Sequence, residues 1–155
     1  MIHRIPRQFL YLTLDDLPEP SRAALLPLIA DLPLVPTAEH SCQVVGPTDL
    51  TLPCLAVLAR HVVQGLRDHN LTLAHDRHRL HHERHKLLFY DEPALLQAPP
   101  TSTTEAILCL LDPSPASVPL LTTRHSANLA TFIATSHPVP HLPAWRQIHL
   151  DQPPA

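Results

Sequence analysis

Glycine is nearly absent from this chain. Gly46 and Gly65 are the only two among 155 residues. Conformations with positive φ are therefore hard to build, which excludes glycine-rich ligand loops along most of the sequence. Cysteine is scarce too, and its three copies, Cys42, Cys54 and Cys109, are an odd number. Each sits in or beside an apolar run. That pattern argues against a disulfide framework and predicts buried, reduced thiols in a cytoplasmic protein. Basic charge is in short supply: the formal net charge is −3 with histidines neutral. Nucleic-acid binding rests on neutralising phosphates, so direct binding is not expected. No segment reaches the roughly 18 uninterrupted apolar residues of a membrane span. His3 and Arg4 follow Met1 without the apolar core of a signal peptide.

Proline, by contrast, is abundant, with 19 copies, so short elements and stiff loops are expected. The length is that of one domain, able to bury roughly 70% of the surface its unfolded chain exposes. The expectation is a single core domain over residues 1–155, with residues 1–20 as an extended arm. Ser21 is placed to cap a helix running to Ala30, with Pro27 kinking or shortening it. Strand one is expected at about 42–45. The clearest periodicity follows at Leu55, Leu58, Ala59, Val62 and Leu66, predicting an amphipathic helix over 53–69 that starts at Pro53 and stops at Asn70. Leu71-Thr72-Leu73-Ala74 reads as strand two, and the apolar run 87–90 as strand three, buried on both faces. Ser102-Thr103-Thr104-Glu105 has the form of a capping box ahead of a helix over 106–111. A fourth strand is expected at 118–123, a helix capped by Ser126 at about 127–135, and a fifth strand at about 146–150 anchored by Trp145. Strands alternating with helices predict an α/β fold: a three-layer sandwich around a five-stranded parallel sheet.

One pair of motifs carries the functional reading. Cys42-Gln43-Val44-Val45 runs into Gly46-Pro47-Thr48-Asp49-Leu50-Thr51-Leu52-Pro53, which has the layout of a phosphate-binding loop, G-x-x-x-x-G-K-[ST]. Thr51 stands in place of the second glycine, Leu52 of the lysine and Pro53 of the Ser/Thr. Leu52 offers no charge, and Pro53 offers neither hydroxyl nor N–H. Asp49 adds a negative charge where phosphates would lie. Downstream, Leu87-Leu88-Phe89-Tyr90-Asp91-Glu92 has the form of a Walker B strand. In an intact site Asp91 and Glu92 would hold Mg²⁺ and the attacking water.

On these segments the chain resembles the bacterial helicase-loader and replication-initiator group of AAA+ ATPases. Ile5-Pro6-Arg7-Gln8-Phe9 with Thr13-Leu14-Asp15-Asp16 resembles the arm before that group's first helix. Val45-Gly46-Pro47-Thr48 falls at its P-loop, and Leu55-Ala56-Val57-Leu58-Ala59-Arg60 is similar to the helix behind it. Leu120-Leu121-Thr122-Thr123-Arg124 falls where the sensor-1 strand ends, and Arg146 near the arginine-finger region. The resemblance implies a P-loop NTPase-like fold with sheet order 5-1-4-3-2. Gly46 and Asp91 should then share the C-terminal edge of the sheet, on strands separated by one other. It also implies that the helical lid domain is missing and that Gly46, Pro47, Thr48, Asp91, Glu92 and Thr123 are the remnant of a nucleotide site. The expected function is that of a pseudo-ATPase without catalysis or cofactor, binding a protein partner near DNA replication or repair. The partner would be a replication or repair ATPase or helicase, and a homodimer is one expected assembly. A variant of this reading is an inactive subunit of a heteromeric ATPase, with Arg146 acting in trans.

The histidines offer an alternative. His75, Asp76, His78, His81, His82, Glu83 and His85 fall together, and helical i, i+4 pairs such as His78 with His82 can hold a metal. The alternative expectation is a metal-binding or metal-sensing protein using His75, His78, His82 and His85. A solvated crossover helix needs no metal, and the pseudo-ATPase reading includes none.

Overall fold

The computed structural model of the protein describes residues 7–75, 87–97 and 106–150. Short 3-10 turns at Arg7–Phe9 and Leu14–Asp16 lead into helix α1, Glu19–Asp31. A further 3-10 turn at Ala38–His40 precedes strand β1, Cys42–Val45, which passes directly to the long helix α2, Thr48–His75. Then come β2 (Leu87–Asp91), α3 (Glu92–Gln97) and β3 (Ile107–Leu111). A 3-10 turn at Pro115–Ser117 enters α4 (Val118–Ser126), followed by β4 (Thr131–Thr135) and β5 (Arg146–His149).

The five strands form one sheet in the order β2-β3-β4-β1-β5. Every pairing is parallel. Successive side chains of a strand point to opposite faces, and here they divide between two cores. Cys42, Val44, Phe89, Ile107, Cys109, Phe132 and Ala134 join the larger core, packed beneath α1 and α2. Leu88, Leu108, Leu110 and Ile133 join the second, with Leu95 of α3, Leu121 of α4 and Trp145. Covering both faces is what an all-parallel sheet requires. The chain is thus an α/β three-layer sandwich, as the alternation of elements predicts.

Several segments differ from the sequence expectation. Helix α2 begins five residues earlier than Pro53 and continues to His75, so residues 71–74 are helical and Asn70 does not end the helix. Residues 107–111 form β3 although the pattern suggested a helix over 106–111. The capping-box residues 102–105 lie outside the described residues. This apolar run is short and buried at every position from Ala106 to Leu110. Length and two-sided burial decide for a strand where periodicity is ambiguous. Residues 118–126 are helical rather than a strand: Pro119 sits in the first turn, and only Leu121 and Arg124 are buried. A one-sided pattern of that kind suits a helix. Residues 131–135, expected to be helical, form β4 and are buried throughout.

Buried Arg124 locks the opposite, N-terminal edge of the sheet. Its Nε donates to Thr131 Oγ1 at 3.0 Å, and its Nη2 donates to the carbonyls of Ala106 and Ala130, each at 2.7 Å. Desolvation pushes its pKa down to about 10. Ser41 adds a second tie there, accepting from the Thr131 N–H at 2.9 Å.

Candidate functional site

All strands run the same way, so their C-terminal ends share one edge. Gly46 follows β1 and Asp91 closes β2, and both lie on that edge as expected. Their spacing is not as expected. Asp91 stands on the outermost strand, and β3 and β4 both separate it from β1. The strand one removed from β1 is β3, and the acid at its end is Asp112. Its N–H donates to the Ala134 carbonyl at 2.8 Å, and its φ is +44°. The sequence reading missed it, although Ile107-Leu108-Cys109-Leu110-Leu111-Asp112 repeats the form of 87–91, an apolar strand ending in an acid.

The corner after β1 is closed. Only Gly46 and Pro47 separate β1 from α2, too few to wrap a phosphate as the eight-position motif does. Residues 48–53 belong to the first turns of α2 and not to a loop. The Pro47 carbonyl accepts from the N–H groups of Leu50 at 2.9 Å and Thr51 at 3.0 Å, which starts the helix. Thr48 is exposed at its first position, and Asp49 places a carboxylate in the first turn, where it favours the helix dipole and opposes an incoming anion. From the β5 side, the Leu150 N–H donates to the Val45 carbonyl at 2.7 Å. The Leu150 carbonyl then stands 2.3 Å from where a Cβ on Gly46 would be, with Gly46 at φ +154°. Gly46 is needed because another part of the backbone occupies the space beside it.

The acids at β2 have structural partners. Asp91 Oδ1 accepts from the Ala94 N–H at 2.9 Å, a cap on α3. Glu92 receives the Ser117 hydroxyl at 2.6 Å, the Ser114 N–H at 2.6 Å and the Ser114 hydroxyl at 2.8 Å. The Ser117 hydrogen bond, with those of Ser114, holds the Glu92 carboxyl below its ordinary pKa. Glu92 therefore staples α3 to the turn that enters α4.

Thr123 lies away from this edge. It is exposed on α4, and its hydroxyl donates to the Pro119 carbonyl at 3.0 Å. Its neighbour Arg124 reaches the residues preceding β3 and β4, at the N-terminal edge. The end of β4, between β3 and β1, is Thr135, whose hydroxyl donates to the His137 carbonyl at 2.8 Å. Arg146 also sits at the N-terminal edge, paired in register with Cys42, and forms an exposed ion pair with Asp31 at 3.3 Å.

Beside Asp112 the edge holds a cavity of about 220 Å³ whose lining includes Pro113, Pro115, Thr135, His137 and Val139. Gln43 braces its far wall: buried on β1, it accepts from the Val139 N–H at 2.9 Å. The cavity is smaller than the roughly 300–1,000 Å³ typical of small-molecule sites. Of the proposed metal ligands, His78, His82 and His85 lie outside the described residues, as does the side chain of His75. Among the described residues, no group of three or more His, Cys, Asp or Glu side chains could hold a metal ion. Nor, among these residues, is any helix long and apolar enough to cross a membrane. No protein-family model matches the sequence, and neither a curated protein nor a solved structure matches it.

Proposed function

We propose that the protein is a non-catalytic, AAA+-like pseudo-ATPase core that acts as a protein-binding adaptor or regulator, near DNA replication or repair. The observation that carries this reading is the closed corner between β1 and α2. A two-residue junction, with the Leu150 carbonyl beside Gly46 and Asp49 in the first helical turn, leaves phosphates no cradle. The partners of Asp91 and Glu92 support it further, since a Mg²⁺ ion would have to displace a helix cap and three hydrogen bonds. The variant in which Arg146 reaches into a neighbouring ATPase draws less support, because Arg146 already pairs with Asp31 of its own chain. Calorimetric titration with MgATP is the test, and no saturable heat is expected. Purification from the native cell should recover a replication or repair ATPase or helicase. A clear isotherm for MgATP would overturn the pseudo-ATPase reading.

A further inference from the structure

A second cavity, of about 260 Å³, lies where the N-terminal arm meets α2. Leu10, Tyr11, Arg60, Val63, Gln64 and Arg67 line it. The two arginines differ. Arg60 is half-buried and held in place, its Nη1 donating to the Leu12 carbonyl at 2.5 Å. Arg67 is exposed and pairs with no described residue. Tyr11 is 85% exposed, the most exposed of the large apolar side chains among the described residues. Gln64 Nε2 donates to Asp68 Oδ1 at 3.1 Å. A fixed guanidinium, an exposed one and an uncovered ring thus stand around Leu10 and Val63.

We infer that this cavity docks an acidic-aliphatic peptide segment of a protein partner. Arg67 and Arg60 receive its carboxylate, while Leu10, Val63 and Tyr11 receive the adjoining apolar side chain. Size argues for this occupant: the volume lies below the roughly 300 Å³ where cofactor and drug-sized sites begin, and suits one or two side chains. Chemistry argues for a carboxylate, because an arginine fork matches its two oxygens with two N–H donors. A nucleic-acid strand is disfavoured by charge. Asp16 on the same arm already interacts through charge with Arg60, so a run of phosphates would meet a carboxylate beside the cavity, whereas a single carboxylate can sit on the exposed Arg67. Aromatic and arginine side chains together are also the residues that most often anchor protein interfaces.

The inference rests on the adaptor reading and names the chemistry of its partner. Two labelled hexapeptide pools test it by fluorescence anisotropy with the full chain. One pool has a central Asp or Glu flanked by Leu, Ile or Val, and the other carries Asn or Gln at that position. The acidic pool should bind saturably and the amide pool should not. Arg67→Ala should weaken binding at least about tenfold, Arg67→Lys less, and Tyr11→Ala by a similar factor to Arg67→Ala. Both side chains are exposed, so circular dichroism should report an unchanged fold. Equal binding of the two pools, no binding of either, or indifference to Arg67→Ala would overturn the assignment. So would binding of a single-stranded oligonucleotide that Arg67→Ala abolishes, which would make the site a nucleic-acid contact. A silent peptide assay with silent MgATP calorimetry removes this site alone, whereas a MgATP isotherm removes the parent reading whatever the peptides do.

Discussion

At Gly46 two constraints coincide, a backbone angle that side chains avoid and a carbonyl where a Cβ would sit. Gly46→Ala should therefore destabilise the fold by about 2–3 kcal/mol, the scale of enforced backbone strain, and lower the urea midpoint accordingly. Gly65 provides the contrast. A Cβ there would meet the Leu34 carbonyl at 3.0 Å, a contact the neighbouring loop can relieve by a small shift, and its φ is unexceptional. The three thiols make a second case at this scale. All are free and buried. Desolvation pushes Cys42 up to about 12 and Cys54 up to about 11, and it raises Cys109 as well. Reactivity follows the thiolate, so native protein at pH 8 should react with a thiol reagent far more slowly than protein in urea, where three equivalents should titrate. Rapid labelling of even one in the native state would show that the burial is not maintained in solution. Linkage gives the sign of the alkaline response. These folded-state values lie above those of the unfolded chain, so their contribution to stability is whole below the unfolded thiol pKa. It is lost as pH rises toward 11–12.

At the scale of elements, the Glu92 carboxylate ties α3 to the turn that enters α4, which makes that joint sensitive to acid. Hydrogen bonding, first from Ser117, lowers the Glu92 pKa in the fold. Its stabilising contribution is present above the unfolded carboxyl value and fades as pH falls through the lower folded value. Glu92→Gln should cost about 1 kcal/mol at neutral pH, the low end for bonds to a charged group because solvent reaches the carboxylate. It should also flatten the acid limb of stability measured against pH. An unaltered acid limb would mean that Glu92 does not carry the joint. The same elements show what could be read from sequence. The apolar strands at 42–45 and 87–90 were legible because two-sided burial leaves a continuous hydrophobic run. The stripe Leu55, Leu58, Ala59, Val62, Leu66 was legible because a helix buries every third or fourth residue. The ends of α2 were not. Pro53 looked like a helix start yet lies inside the helix, and Asn70 looked like a stop yet the helix runs on. The sequence pattern points to helices over 106–111 and about 127–135 and to a strand over 118–123 because short apolar runs carry no period of their own. Which one is buried on both faces depends on the packing of the rest.

Across the whole molecule, the parallel sheet gathers every strand end on one edge, and the contents of that edge depend on which segments are strands. The expected order 5-1-4-3-2 holds by number. Strands two, three and four are other segments than those expected, and this moves Asp91 to the outer strand and brings Asp112 and Thr135 inward. Gly46 was legible as a corner, because so few glycines make each one informative. The backbone of Leu150 pressing on it was not, since nothing local links residues so far apart in the chain. That contact sets the last prediction. If the missing lysine and hydroxyl were all that separates this corner from a phosphate loop, restoring them with Leu52→Lys and Pro53→Thr would restore binding. Positions 52 and 53 lie in the second turn of α2, however, not at its start. Leu52 packs against the larger core, so a lysine there loses apolar contact, and it is rooted a full turn back from the helix N-terminus that would face a phosphate. The doubly substituted protein should give no saturable heat with MgATP and should be less stable than its parent in urea. Binding in the double variant would show that the corner can open into a working loop, and that side-chain loss alone silenced it.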